Sequence, residues 1–111
     1  MKKIEAFVKP FTLEAIKAAL AEADVEVFRI LQARELSSVR THAEVYRGTE
    51  YEMDVAPRVL IVVLAEDKRT DAVIRLIQEA GQTDHPGDGR IIVTSVEQLV
   101  HIDEGELELQ E

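Results

Sequence analysis

The chain has 111 residues, of which 46% are hydrophobic and 32% are charged, and its formal net charge is −9. This balance predicts one soluble globular domain covering residues 1–111. The acidic excess argues against nucleic-acid binding, which depends on Lys and Arg neutralising phosphates. The absence of cysteine excludes disulfides and thiolate chemistry. No apolar run approaches the ~20 residues that span a bilayer, and no signal-peptide core follows the N-terminus, so we expect a cytoplasmic protein.

The first third of the chain is predicted to form a strand, a helix and a second strand. Alternation of Ile4, Ala6 and Val8 with more polar residues is typical of a half-buried strand, which Pro10 would end. Helical spacing follows on one face, in Leu13, Ile16, Ala19 and Leu20. Thr12, directly before them, is the expected N-cap. Residues 25–34 are rich in β-forming side chains and predict the second strand.

Residues 41–54, the centre of the segment 36–55, show neither a strand nor a helix period. We therefore predict a long loop between the second and third strands. Long loops without secondary structure are uncommon in compact domains and are often functional.

The second half repeats the pattern of strand, helix and strand. The uninterrupted apolar run at residues 59–65 predicts a central strand covered on both faces. An amphipathic helix ended by Gly81 is indicated by Val73, Leu76, Ile77 and Ala80. A short strand begins near Arg90, and residues 99–102 are expected to add a last one. Five of the last nine residues are acidic, so residues 103–111 are predicted to form a flexible acidic tail.

The predicted order βαββαβ is that of a ferredoxin-like α+β fold, an antiparallel sheet with two helices on one face. The other face also carries Ile and Val side chains, and no helix is available to cover it. We therefore expect a closed oligomer in which the open sheet faces pack together.

Residues 87–90 combine two glycines, an aspartate and an arginine just before a predicted strand. Consecutive amides in such a turn can form a concave anion site that glycine leaves accessible. The planar guanidinium of Arg90 suits phosphate oxygens. A Gly-Asp-Gly segment alone is nevertheless most often only a turn.

The chain resembles the PII signal-transduction family over residues 1 to about 100. The resemblance rests on residues 1–6, 9–11, 18–22, 44–51 and 87–93. It implies a ferredoxin-like homotrimer with adenine nucleotide sites in the clefts between subunits, and it makes residues 36–55 the T-loop that inserts into a target protein. It also implies a set of nucleotide-binding residues: Gly87, Asp88, Gly89, Arg90, Leu64, Arg40 and His101.

Several positions depart from the family pattern. Ser37, Ser38 and Val39 stand where members commonly have Gly-Arg-Gln, and Val39 offers no oxygen to the Mg²⁺ that joins ATP to 2-oxoglutarate. His101 and Asp103 replace two arginines that contact phosphates, although His101 could titrate near neutral pH beside a phosphate. Arg58 replaces the lysine that pairs with 2-oxoglutarate. We therefore expect AMP or ADP to be favoured over Mg-ATP with 2-oxoglutarate, and we predict no metal site.

Within the T-loop, the resemblance implies that Tyr46, Arg47 and Tyr51 contact the partner. Members with this loop sequence plug ammonium channels, so the expected target is a membrane transporter or a metabolic enzyme. Some bacterial members have Tyr51 uridylylated, whereas many relatives leave it unmodified; both readings stay open.

Other functions remain open on the sequence alone. The chain can be an ordinary nitrogen regulator that senses ATP and 2-oxoglutarate, or a carbon-uptake or carboxysome-linked regulator that responds to bicarbonate. A ligand-free trimeric adaptor and a weak nucleotide hydrolase are the remaining alternatives. We expect a regulator rather than an enzyme, because no arrangement of nucleophile, base and orienting group is readable from the sequence.

Overall fold

The computed structural model describes residues 1–39, 52–103 and 107–108. The main elements are β1 (Lys2–Val8), α1 (Leu13–Glu22), β2 (Val27–Val39), β3 (Glu52–Ala65), α2 (Thr70–Gly81), β4 (Gly89–Ser95), β5 (Leu99–Val100) and β6 (Leu107–Glu108). A single 3₁₀ turn precedes each α-helix, at Pro10–Thr12 and Asp67–Arg69.

The four long strands form one antiparallel sheet in the order β2-β3-β1-β4, and β5 pairs with β6 in a separate ladder. Strand β1 is central, pairing along its whole length with β3 on one side and with β4 on the other. The predicted ferredoxin-like α+β fold is therefore confirmed.

The core lies between the two helices and one face of the sheet. The inward-facing residues of β1 (Ile4, Ala6 and Val8) pair in register with Val63, Ile61 and Val59 of β3. All six join a buried cluster with the helix residues Ile16, Leu20, Val73 and Ile77. The alternation in β1 and the helical spacing of both helices predicted these inward faces correctly.

The start of α1 differs from the expected capping arrangement. Thr12 occupies the position before the helix, but its side chain makes no cap hydrogen bond. Its Oγ1 instead donates to the carbonyl oxygen of Lys9, at 2.7 Å. The reason is the 3₁₀ turn at Pro10–Thr12, which already points the hydroxyl back along the chain.

The predicted boundaries of the loop are too wide. Strands β2 and β3 stay paired from Val27↔Val63 out to Val39↔Glu52, so residues 36–39 and 52–55 belong to strands. Side-chain periodicity failed here because the pairing satisfies backbone groups, which carry no sequence signature. The tail prediction also fails at two residues, since Leu107 and Glu108 pair with Val100 and Leu99.

The sheet face turned away from the helices carries a row of apolar side chains. Leu31 of β2 pairs with Leu60 of β3, and Leu60 also pairs with Phe7 of β1. On its other side, Phe7 pairs with Arg90 of β4. Leu31 is 40% exposed. We call Leu31, Leu60 and Phe7 the open-face row.

In the described part of the chain, no helix is long and apolar enough to cross a membrane.

Candidate functional site

The turn at residues 87–90 leads into β4 beside the end of β1. Gly87 and Gly89 both have positive φ, at +80° and +126°. Gly89 pairs with Val8, and a Cβ on Gly89 would collide with the carbonyl oxygen of Phe7. The backbone of the turn therefore approaches β1 more closely than any side chain permits.

The side chain of Asp88 fixes this turn through contacts with Thr83 and Lys9. Its carboxylate accepts hydrogen bonds from Thr83 N at 2.7 Å and Thr83 Oγ1 at 2.6 Å, and it pairs with Lys9 Nζ at 3.1 Å. These contacts, first the Thr83 hydroxyl, then the Thr83 amide and then Lys9, lower the pKa of Asp88 from 3.8 to about 2. Asp88 thus ties the 82–89 loop to the residue that follows β1.

The lowered pKa predicts a pH-dependent stability. Because the folded pKa of Asp88 lies below its unfolded value, its stabilising contribution is complete above the unfolded pKa and is lost as the pH falls through about 2. We expect Asp88→Asn to lower the free energy of unfolding near neutral pH, with the deficit shrinking as the pH falls below the unfolded pKa.

Urea unfolding across this acid range measures the deficit. Asp84→Asn is the control, because Asp84 is an exposed aspartate in the same loop and loses the same charge. A deficit of Asp88→Asn that stayed constant down to the lowest pH would contradict the assignment.

Two arginines and a glutamate meet next to the turn. Arg58 of β3 donates from Nη2 to the carbonyl oxygen of Gly87 at 2.8 Å and from Nε to Glu35 Oε1 at 2.9 Å. Arg90 Nε lies 2.8 Å from Glu35 Oε2. The side chain of Arg58 is 12% exposed and that of Arg90 is 66% exposed. One largely buried guanidinium, that of Arg58, and one exposed guanidinium, that of Arg90, therefore lie beside the turn.

The structure does not bring every predicted site residue to this turn. Leu64 pairs with Lys3 and Gly89 with Val8, so within one chain they lie about five strand residues apart, roughly 17 Å. His101 is half-buried directly after β5, six residues beyond Ser95, where β4 ends at the far end of the sheet. Arg40, Tyr46, Arg47 and Tyr51 lie outside the described residues.

The arrangement at the turn suits an oxyanion. Backbone amides at glycines with positive φ form an anion-binding concavity, and guanidinium groups bind phosphate or carboxylate oxygens in a planar, two-point manner. An open groove of about 580 Å³ between α2 and β4 borders the turn, with Gln78, Gly89 and Arg90 in its lining. Among the described residues, no group of three or more His, Cys, Asp or Glu side chains could hold a metal ion.

Three residues of this region were missed by the sequence analysis. Lys9 and Thr83 support Asp88, and Glu35 pairs with both arginines. A threonine five residues before an aspartate in a turn-rich loop is a local signal that could have been found. Lys9 and Glu35 reach their partners only through the strand register, which the sequence does not reveal.

Comparison with known proteins places these features in a family. The family model described as "Nitrogen regulatory protein P-II" matches residues 1–106. The chain is 42% identical over 106 residues to the nitrogen regulatory protein P-II of Rhizobium meliloti (strain 1021), covering 96% of this chain and 95% of that protein. With the same coverage it is 43% identical to the protein of that name from Azospirillum brasilense and 40% identical to the one from Rhodobacter capsulatus. The chain therefore belongs to the nitrogen regulatory protein P-II family.

Proposed function

We propose that this chain is a cytoplasmic, single-domain regulator that forms a homotrimer, binds AMP or ADP in the clefts between subunits, and acts on a target protein rather than as an enzyme. The observation that carries the proposal is the 87–90 turn. Its two glycines with positive φ are held by Asp88, and two guanidiniums adjoin it. Amides and guanidiniums arranged in this way favour a phosphate-bearing ligand.

The shape of the sheet supports a site shared between subunits. Leu64 and the 87–90 turn lie at opposite ends of β1, so a site that uses both needs two chains. The open-face row offers an apolar surface through which chains can associate, since both helices pack on the other face. A closed trimer would cover this face and bring Leu64 of one chain towards the turn of another.

The choice of nucleotide follows from the residues that differ from the family pattern. Val39 has no oxygen for Mg²⁺, and the negative charge of Asp103 disfavours additional phosphates nearby. With fewer cations and no magnesium ligand at these positions, each phosphate beyond the first contributes less to binding. AMP and ADP are therefore the favoured ligands within the proposal.

Control of the target is assigned to residues 40–51, the part of the predicted T-loop that lies between β2 and β3. Tyr46, Arg47 and Tyr51 would contact a membrane transporter or a metabolic enzyme, and modification of Tyr51 would block that contact. The strands that flank this segment are paired with each other, and Gly87 of the turn bonds to Arg58 in β3. A ligand at the turn therefore adjoins the strand that leads out of the T-loop.

Isothermal titration with AMP, ADP and ATP tests the proposal, each with and without Mg²⁺ and then with 2-oxoglutarate or bicarbonate. We expect AMP or ADP to bind more tightly than Mg-ATP, with no gain from 2-oxoglutarate. Arg90→Gln should weaken ADP binding by about tenfold, the loss of roughly one charge-assisted hydrogen bond. Lys17→Gln is the matched control, because it removes the same charge from the exposed side of α1, outside the groove, and it should bind ADP as the wild type does.

A second candidate is an ordinary nitrogen regulator that senses ATP together with 2-oxoglutarate. The relatives at 40–43% identity, all called nitrogen regulatory protein P-II, favour it. ATP binding that 2-oxoglutarate tightens, in the same titrations, would establish this candidate and refute the preference for AMP or ADP.

A further inference from the structure

Glu35 lies between the two arginines of the site and engages both with different oxygens. Oε1 pairs with Arg58 Nε at 2.9 Å, and Oε2 pairs with Arg90 Nε at 2.8 Å. The side chain of Glu35 is 17% exposed and that of Arg58 is 12% exposed. Distances this short are typical of charge-assisted hydrogen bonds, so the carboxylate already satisfies one donor of each guanidinium.

The strand register, rather than a loop, holds this cluster together. Glu35 pairs with Ala56 and Arg58 pairs with Ala33, which makes Glu35 and Arg58 diagonal neighbours on one face of the sheet. Arg90 reaches the same face from β4, where it pairs with Phe7. Because three strands present these side chains, the carboxylate is directed towards both guanidiniums by the fold itself.

The two arginines and the glycine turn form an anion site, and the carboxylate of Glu35 occupies the position of the anion. Two guanidiniums and the adjoining glycine turn are the groups that would receive a phosphate or carboxylate ligand, and a carboxylate of the chain itself already lies between the guanidiniums. A ligand anion must either displace Glu35 from both arginines or remain beside its charge. Displacement costs the two charge-assisted hydrogen bonds of Glu35, and binding beside Glu35 places like charges together in a partly buried region, where their repulsion is stronger than in bulk water.

We propose that Glu35 is a specificity-determining residue: it occupies the anion site between Arg58 and Arg90 and weakens the binding of each ligand in step with that ligand's negative charge. This inference rests on the proposed function in taking the 87–90 turn as the ligand site, and it adds the residue that sets the ligand class. AMP, which has the smallest charge of the adenine nucleotides, is therefore opposed least, ADP more and ATP most, whereas pyrophosphate and dicarboxylates, which lack an adenosine group that could add binding contacts, are excluded.

The test is isothermal titration with inorganic pyrophosphate, and then with 2-oxoglutarate, into the wild type and Glu35→Gln. The substitution keeps the shape of the side chain, removes its charge and leaves only one acceptor oxygen. We expect Glu35→Gln to bind pyrophosphate at least about tenfold more tightly than the wild type, because a competing charge-assisted hydrogen bond is lost. The gain should shrink at high salt and disappear in the double variant Glu35→Gln with Arg58→Gln.

Glu22→Gln is the matched control, since it removes the same charge from the exposed end of α1 and should leave pyrophosphate binding unchanged. If Glu35 only fastens three strands together, Glu35→Gln will melt at a lower temperature without any gain in pyrophosphate affinity. That result would overturn the proposal. Wild-type ADP binding is measured separately, so its absence would refute the proposed function while leaving the pyrophosphate comparison intact.

A measurement on the wild type keeps the proposal testable should Glu35→Gln fail to fold. In protein labelled with ¹⁵N-arginine, the Nε–H groups of Arg58 and Arg90 should exchange slowly with water, because both are bonded to Glu35. We expect these signals to stay in place when millimolar pyrophosphate is added. Signals that shift with pyrophosphate while Glu35 is intact would show that Glu35 does not exclude anions.

Discussion

Gly89→Ala should destabilise the protein by at least about 2–3 kcal/mol and abolish the proposed phosphate binding at the 87–90 turn. Two effects act together at this residue. Its φ of +126° is unfavourable for any residue with a Cβ, and the added Cβ would overlap the carbonyl oxygen of Phe7, a backbone atom that cannot rotate away. The start of β4 must therefore separate from β1, and the amides that would hold a phosphate move with it.

Gly87→Ala is the matched control two residues earlier. Gly87 also has a positive φ, at +80°, but a Cβ there meets nothing within 4 Å. Gly87→Ala should therefore lower the free energy of unfolding by only about 1 kcal/mol, the cost of placing an alanine at a positive φ. Urea unfolding at a fixed protein concentration gives both free energies. Equal stability of the two variants would contradict the close approach of Gly89 to β1.

Leu31→Glu should convert the proposed trimer into monomers and thereby remove the proposed nucleotide binding. Leu31 begins the open-face row and is 40% exposed in the single chain, so the fold of one subunit tolerates a polar side chain there. A carboxylate buried in an interface without a partner costs several kcal/mol. Light scattering at micromolar concentration measures the mass, and ADP titration on the same sample measures binding.

The neighbouring residue supplies a close control. Ile30 is 43% exposed, almost the same as Leu31, but it pairs with the fully buried Ile61 and so belongs to the helix side of the sheet. Ile30→Glu adds the same charge to the same strand and should remain trimeric. A trimeric Leu31→Glu variant, or a monomeric wild type, would contradict association through the open-face row.

The sequence was sufficient for the fold because its signals are local. Alternation of Ile4, Ala6 and Val8 identified the inward face of β1, and these residues are buried in the structure. The uninterrupted run in β3 was interpreted as a strand covered on both faces. Its residues on the helix side, such as Ile61 and Val63, are fully buried, whereas Leu60 and Leu64 on the other face are only half-buried in the single chain. Both inferences need only the chemistry of residues two to four positions apart.

The site was harder to predict because its contacts depend on register. Glu35 and Arg58 are 23 positions apart. Glu35 lies in β2, which extends to Val39, whereas the sequence predicted that the strand ends at residue 34 and that a loop begins at residue 36. Arg90 was predicted as a ligand residue, but its pairing with Glu35 follows only from the strand order β2-β3-β1-β4. Asp88 was assigned to the nucleotide site by family resemblance, whereas its observed contacts are with Thr83 and Lys9.

Titration of ADP into the wild type, followed by Mg-ATP with and without 2-oxoglutarate, tests most directly whether the 87–90 turn serves a regulator selective for AMP or ADP. We predict one ADP per subunit, weaker binding of Mg-ATP, and no change when 2-oxoglutarate is added. Tighter binding of Mg-ATP that depends on 2-oxoglutarate, or no heat with any adenine nucleotide, would contradict this function.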